Sequence, residues 1–360
     1  MKLRLPLPPL TIVIPILAWV IYFGNSFIVD GWYLFVLAAA LIAVVMIAVH
    51  HAEIIAHRVG EPFGTLVLAV AITVIEVSLI VSLMLAGGPG IETLARDTVF
   101  AAVMILLTGV IGLCLLLGGI KFNEQKFGRH GVSAALVTLA AICVLTLILP
   151  NHTTSELGPI FSSKQLVFIA VVCLLLYVTF VGVQTVRHRD YFLPPEAEVK
   201  KDEHALPPTR QSAILSTVLL MVCLGAVVLI AKSLAPALEA AVTYFRAPKA
   251  TVGVVIAGII LLPECLAALR AARKNRLQTS LNLALGSALA SIGLTIPAVS
   301  VVSLATGMTV ILGIDTKSTV LLLLSLFTIM LSFGTGRTTV LQGVVLLVIF
   351  AVYLFTTVFP

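Results

Sequence analysis

The sequence predicts an all-α membrane protein with about eleven transmembrane helices. The chain has 360 residues, of which 60% are hydrophobic and 11% are charged, and its mean hydropathy is +1.17. A soluble domain is typically about 45–50% apolar and about 25% charged. These proportions exclude an ordinary soluble enzyme, a disordered protein and a nucleic-acid-binding module. They indicate a polytopic helical protein whose surroundings are the lipid bilayer.

Eleven apolar stretches are long enough to cross a bilayer, which takes about 20 residues per helix. They are continuously apolar rather than alternating, so they are predicted as helices and not as strands of a barrel. The predicted spans lie near residues 11–29, 33–49, 64–86, 98–119, 131–149, 165–186, 211–231, 250–269, 281–306, 318–333 and 339–358. Because no small-residue cleavage site follows the first span, we expect a retained helix rather than a signal peptide.

The distribution of basic residues predicts the orientation. Sixteen of the 22 Lys and Arg residues fall on the side of the N-terminus, and six fall on the other side. Cytoplasmic loops of membrane proteins carry the excess of basic residues. We therefore expect a cytoplasmic N-terminus and, after eleven spans, an external C-terminus. The net charge of +6 has this origin and does not indicate a nucleic-acid partner.

A polar segment at 188–210 divides the chain, and its mixed charges and four prolines predict a flexible cytoplasmic linker. An N-terminal helix (1–32) and five spans (33–187) precede the linker, and five spans (211–360) follow it. Because five is odd, the two halves enter the membrane from opposite sides. This arithmetic predicts two inverted-topology repeats of five helices each.

Two carboxyl groups lie deep inside predicted spans. Of the 16 acidic residues, only Glu76 and Glu264 fall near the middle of a span, the third and the eighth. An ionised, unpaired carboxylate costs about 3 kcal/mol there, and no Lys or Arg lies at that depth. Each glutamate must be protonated, bind a cation or face water. Since the two helices are antiparallel, we expect both carboxyl groups to face one site at the bilayer centre; protonated structural residues are the alternative.

Two carboxylates in a dry site suit Ca²⁺, which takes about 6–8 oxygen ligands. Backbone carbonyls and hydroxyls are expected to supply the rest. Pro263 removes a helical hydrogen bond beside Glu264 and is expected to free a carbonyl near Ile260 or Leu261. The predicted supporting ligands are Ile72, Thr73, Ile260, Leu261, Thr108, Ser287 and Ser291. Close packing of helices is the alternative role for the hydroxyl residues.

His57 and Glu61 precede the third span and form a candidate proton entrance, because histidine titrates near neutral pH. Helix capping or interfacial packing is the alternative for both. The five cysteines lie in apolar runs without CxxC spacing, so we expect free thiols. No cofactor is expected besides the transported ions, and neither HExxH nor GxSxG occurs in the chain.

Four stretches of the chain resemble bacterial calcium/proton antiporters of the cation/calcium exchanger superfamily, and more narrowly its Cha-type calcium (sodium, potassium)/proton branch. They are HRVGEPFG (57–64), PECLAAL (263–269), NLALGSALASIGLTIP (282–297) and SFGTGRTT (332–339). The resemblance implies the sodium/calcium exchanger-like fold and alternating access, with one motif glutamate in each half. By motif position these are Glu76 and Glu264.

The resemblance also places the repeat motifs near 57–119 and 250–306. Many exchangers have a Gly-Asn pair before each glutamate, whereas this chain has Ile72-Thr73 and Ile260-Leu261. The asparagine ligand is absent, so backbone carbonyls are expected to contribute more to the site.

The predicted function is exchange of cytoplasmic Ca²⁺ for external protons across the bacterial inner membrane. Two ionised glutamates with Ca²⁺, or two protonated glutamates, leave the site near neutral, whereas the empty and doubly charged site crosses poorly. The first alternative is the same exchange with sodium or potassium in place of calcium. A passive channel and an intramembrane enzyme are further alternatives.

Overall fold

In a computed structural model, the described residues are 7–25, 31–60, 63–87, 90–193, 208–244, 248 and 250–359. Within them the chain forms eleven long helices, which confirms the predicted all-α architecture. The helices are α1 (Pro9–Gly24), α2 (Tyr33–Val59), α3 (Phe63–Ala86), α4 (Ile91–Phe122), α5 (Arg129–His152), α6 (Ser163–Arg187), α7 (Arg210–Tyr244), α8 (Ala250–Arg273), α9 (Leu277–Thr306), α10 (Thr316–Phe333) and α11 (Val340–Val358). In this described part, nine helices are long and apolar enough to span a membrane.

The helices group into two compact units. The first unit comprises Met1–Gly88 and His204–Arg246, and therefore contains α1, α2, α3 and α7. The second unit comprises Pro89–Glu203 and Ala247–Pro360, with the other seven helices. The units do not follow the predicted halves, because α3 of the first half shares a unit with α7 of the second.

In the first unit, α2 packs against α1, α3 and α7. Its buried face repeats every three or four residues, as an amphipathic helix requires. The residues of this face include Leu37, Leu41, Val44, Ala48 and Ala52. The core of this unit is therefore built around α2.

Helix α2 ends at Val59, ten residues beyond its predicted span, because the helix continues through a polar stretch. Gly60, whose φ is +78°, follows its last residue. His51 lies on this extension and is fully buried. Its Nδ1 lies 3.3 Å from the Ser216 hydroxyl on α7, and its Nε2 lies 3.1 Å from the Thr11 carbonyl on α1. One imidazole ring therefore links three helices of the first unit.

In the second unit, α4 is the central helix. About 83% of its most apolar stretch is buried, compared with 22% for α11. Helix α4 contains a π-helical segment at Ile105–Val110, and α5 and α6 contain further ones at Val144–Ile148 and Val183–Arg187. Helices α8, α9 and α11 pack directly on α4.

Loops tie the second unit together at both ends of α4. Beyond the C-terminal end of α4, strand β1 (Gln125–Lys126) pairs antiparallel with β2 (Arg337–Thr338). Beside its N-terminal end, the Ile311 amide donates to the Glu92 carbonyl at 2.8 Å. The Arg96 guanidinium donates to the Gly313 carbonyl at 2.8 Å as well. Both ends of this unit are therefore fixed by contacts between distant parts of the chain.

Candidate cation-binding site

Glu76 lies in the middle of α3, in the first unit, and is only 3% exposed. Ile72 and Thr73, four and three residues earlier, are also buried. Residues at these spacings share one face of a helix. The three positions predicted on α3 therefore form one buried stripe.

Glu264 lies in α8, in the second unit, and is 6% exposed. Ile260 and Leu261 are buried one turn earlier on the same face. Pro263 lies inside the continuous helix Ala250–Arg273. In the i to i−4 pattern its missing N–H leaves the Ile259 carbonyl without a helical donor. The released carbonyl is thus that of Ile259, one residue before the expected Ile260 or Leu261, because the i to i−4 bond is counted from the proline.

The second unit brings three predicted groups of ligands onto helices that pack together. Helix α8 packs against α4 and α9, which carry Thr108 and the Ser287–Ser291 pair. Thr108 is fully buried, and its hydroxyl donates to the Met104 carbonyl at 2.6 Å. This bond uses the hydroxyl proton and leaves oxygen lone pairs as acceptors for a cation. Ser291 is fully buried as well, whereas Ser287 is half-buried.

The π-helical segment around Thr108 is a feature that sequence reasoning missed. Such segments are rare and occur frequently at functional sites. Gly109 within it is closely packed, since a methyl group there would lie 3.2 Å from the Phe350 ring of α11. The sequence signal is weak, because it consists of one Thr-Gly pair in an apolar run.

Sequence reasoning also missed Thr295 on α9. It is fully buried, and within the described part of the chain its hydroxyl oxygen has no hydrogen-bond partner. Thr295 follows Ser291 by four residues, so both lie on one face of the helix. That spacing was visible in the sequence and would have identified it.

The candidate proton entrance is only partly described. His57 is exposed near the end of α2, in the first unit. Glu61 lies outside the described residues. The proton entrance at His57 and Glu61 therefore stays a prediction. The shared site of Glu76 and Glu264 also stays a prediction, because the two residues belong to different units. All five cysteines are free, as expected.

Long apolar helices with a buried carboxyl group in each half of the chain are typical of polytopic ion transporters. More specifically, the chain belongs to the sodium/calcium exchanger protein family, whose sequence model matches residues 30–186 and 215–359. It is a membrane cation antiporter and not an enzyme. The resemblance and the fold stated from the sequence are thereby confirmed.

Individual relatives cover nearly the whole chain. The y4hA protein of Sinorhizobium fredii is 49% identical over 327 residues, which are 90% of this chain and 88% of that protein. The sodium-potassium/proton antiporter ChaA of Escherichia coli is 35% identical over 356 residues, with 96% and 95% covered. A crystal structure of the Ca²⁺/H⁺ antiporter protein YfkE has the same fold, with a TM-score of 0.70, 16% identity and 98% of each chain covered.

Proposed function

We propose that this antiporter exchanges cytoplasmic Ca²⁺ for external protons by alternating access. In this proposal Glu76 and Glu264 together hold either the cation or two protons. The observation that carries it is the occurrence of one buried carboxyl group in mid-helix in each half, at a constant offset of 188 residues. A membrane-buried carboxyl group without function is costly, so two at matching positions indicate a shared task.

Charge balance explains how the two fluxes are coupled. With Ca²⁺ on two ionised glutamates, the site is near neutral, and two protons restore neutrality after the cation leaves. The empty site carries two negative charges, which makes its passage through the alternating-access cycle costly. The two carboxyl groups should exchange protons as a coupled pair rather than independently.

Uncharged oxygens complete the proposed site. The carbonyl of Ile259, released by Pro263, is a candidate ligand in α8. The buried hydroxyl oxygens of Thr108, Ser291 and Thr295 are candidates on α4 and α9. Calcium accepts such a mixture of carboxylate, carbonyl and hydroxyl oxygens in a flexible geometry.

Sodium or potassium is the second candidate substrate. The observation in its favour is the 35% identity, over nearly the full chain, to a sodium-potassium/proton antiporter. A monovalent ion leaves one carboxylate uncompensated unless a proton accompanies it. The same two glutamates would then hold one cation and one proton at a time.

Inside-out membrane vesicles acidified by respiration, with a pH-sensitive dye, test both proposals. Calcium, sodium, potassium and magnesium are added in turn to the wild type, to Glu76→Gln and to Glu264→Gln. We expect calcium to release protons in the wild type, and at least a hundredfold slower release in either variant. The exposed carboxylates Glu53 and Glu156 provide matched controls, and Glu53→Gln and Glu156→Gln should retain the response.

A response to sodium or potassium but not to calcium would replace the substrate and keep the site. An unchanged response in Glu76→Gln or Glu264→Gln would show that this glutamate is structural, which would contradict the paired site.

We also propose that the protein lies in the bacterial cytoplasmic membrane with its N-terminus inside and its C-terminus outside. The charge of the second unit supports this orientation. The described helix junctions at the β1–β2 end carry ten basic and two acidic residues, namely Lys121, Lys126, Arg129, Arg187, Arg189, Arg270, Arg273, Lys274, Arg276, Arg337, Glu124 and Asp190. Basic residues concentrate on the cytoplasmic side. A C-terminal fusion to alkaline phosphatase should therefore be active, and an inactive fusion would contradict this orientation.

A further inference from the structure

The pairing of β1 with β2 places two cations directly opposite each other. Lys126 is the cross-strand partner of Arg337, while Gln125 is the partner of Thr338. Gln125 and Thr338 are buried, so Lys126 and Arg337 share the outward face of the two strands. Like charges directly opposite in an antiparallel pair are destabilising. This arrangement therefore favours an anion between them.

A third cation lies beside this pair. Gly336 precedes Arg337 with φ of +74°, and the position of a methyl group on it would be 2.9 Å from Cγ of Arg129. The Arg129 guanidinium lies 3.5 Å from the Gly334 carbonyl. The stem of Arg129 thus packs on the turn that leads into β2. We call Lys126, Arg129 and Arg337 the basic cluster.

Within the described part of the chain, little negative charge balances the basic cluster. Arg337 lies 3.5 Å from the Glu124 carboxylate, and both side chains are about half exposed. Among the described residues, no carboxylate forms an ion pair with Lys126 or Arg129. The cluster therefore has at least two positive charges that no carboxylate of the described residues pairs with.

Exposed apolar side chains lie at the ends of the helices that adjoin strands β1 and β2. Ile120 at the end of α4 is 66% exposed, Leu331 at the end of α10 is 64% exposed, and Leu341 at the start of α11 is 69% exposed. Exposed apolar side chains on membrane helices face the lipid tails. The cluster thus lies where the lipid-facing surface of the second unit ends and the polar loops begin.

We propose that the basic cluster binds the headgroup of an anionic phospholipid, whose acyl chains lie along the apolar side chains of α4, α10 and α11. Arginine binds phosphate oxygens through two parallel N–H donors, and lysine adds a compact charge. Basic residues at a membrane surface attract anionic lipids in this way. The proposal concerns lipid recognition by the second unit and does not depend on which cation is transported.

Native mass spectrometry of the detergent-purified full-length protein tests this proposal. The protein is titrated with phosphatidylglycerol and, separately, with phosphatidylcholine of the same chain length. We expect the first phosphatidylglycerol to bind at least tenfold more tightly than phosphatidylcholine. The variant Lys126→Gln/Arg129→Gln/Arg337→Gln should lose roughly a hundredfold of that affinity, since each of the three cations contributes about fivefold.

Three exposed cations outside the cluster provide the matched control. Arg58→Gln/Lys164→Gln/Arg210→Gln removes the same total charge and should change the affinity by less than threefold. If the cluster variant does not fold, Lys126→Gln alone should weaken phosphatidylglycerol binding about fivefold. Equal losses in the two triple variants would overturn the proposal, because they would show a non-specific effect of charge. Equally tight binding of soluble glycerol 3-phosphate would overturn it too, because the acyl chains would then contribute nothing.

Discussion

The helices of the second unit make one kind of contact that the described glycines of the first unit do not, namely backbone against backbone. In the first unit, long side chains reach across to the backbone of a neighbouring helix: the indole of Trp19 donates to the Val222 carbonyl at 3.1 Å, and the hydroxyl of Tyr33 donates to the Ile21 carbonyl at 2.7 Å. In the second unit, glycines let two backbones touch directly. Backbone contacts cannot yield to an added atom, whereas the end of a side chain can move. The two units should therefore respond very differently to the same small substitution.

The crossing of α11 with α4 should be the most sensitive position. A methyl group on Gly343 would lie 2.5 Å from the Leu116 amide nitrogen and 2.9 Å from the Gly112 carbonyl oxygen. Gly343→Ala must push the helices apart, at a cost of about 3 kcal/mol in unfolding free energy. Thermal unfolding in detergent should show a clear drop in Tm and a loss of monodisperse protein.

Gly182 on α6 provides the control for Gly343, because a methyl group there meets nothing within 4 Å. Gly182→Ala should leave Tm unchanged or raise it, since alanine is the better helix former by about 1 kcal/mol. A Tm for Gly343→Ala as high as that of Gly182→Ala would show that the backbone contact is not restrictive.

The second expected effect concerns α8, the helix that carries Glu264. A methyl group on Gly253 would lie 2.8 Å from the carbonyl carbon of Asp97 and 2.9 Å from the Thr98 amide on α4. Gly253→Ala should shift α8 against α4, at a cost of about 2 kcal/mol, and slow proton-coupled transport in vesicles several-fold.

The same helix supplies the control for Gly253. Gly258→Ala adds the identical group where nothing lies within 4 Å, so stability and transport should be retained. Similar transport by the two variants would indicate that the position of α8 on α4 does not affect the site.

The sequence predicted the helices well, because they depend on local composition, whereas the binding role of the individual site residues stays a prediction. Glu76 and Glu264 are mid-helix and buried as expected. The ends of helices were less accurate, since hydropathy stops at the polar residues His50 and His51 while the backbone continues to Gly60. Hydropathy measures how costly a residue is in contact with lipid. The end of a helix depends instead on where the backbone leaves the helical conformation, as it does at Gly60 with its positive φ.

Features that arise from packing between distant segments were not predicted. The π-helical segment at Ile105–Val110 and the pairing of Gln125–Lys126 with Arg337–Thr338 depend on neighbours far away in the sequence. No local propensity encodes such contacts. Whether Glu76 and Glu264 share one site also depends on packing between distant segments. The vesicle experiment with Glu76→Gln and Glu264→Gln tests it.

The polar contacts of the first unit converge on His51. His51→Phe removes both hydrogen bonds of the imidazole and leaves the Ser216 hydroxyl and the Thr11 carbonyl without this partner. We expect a loss of about 1–2 kcal/mol in unfolding free energy, measured by thermal unfolding. His50→Phe, on the adjacent and partly exposed position, should have little effect. Equal Tm values for the two variants would mean that the buried ring contributes by volume alone.

The smallest effect is expected at Gly225 on α7, which is the counterpart of Gly343 in the first unit. A methyl group on Gly225 would lie 3.0 Å from Cζ2 of Trp19, and no backbone atom is among its near neighbours. The indole can tilt away, which weakens its hydrogen bond to the Val222 carbonyl and costs at most about 1 kcal/mol. Alanine returns a similar amount as the better helix former, so Gly225→Ala should change the unfolding free energy by less than about 0.5 kcal/mol. A loss as large as that of Gly343→Ala would erase the distinction between the units, because it would show that a side chain packed between helices resists displacement as strongly as a backbone does.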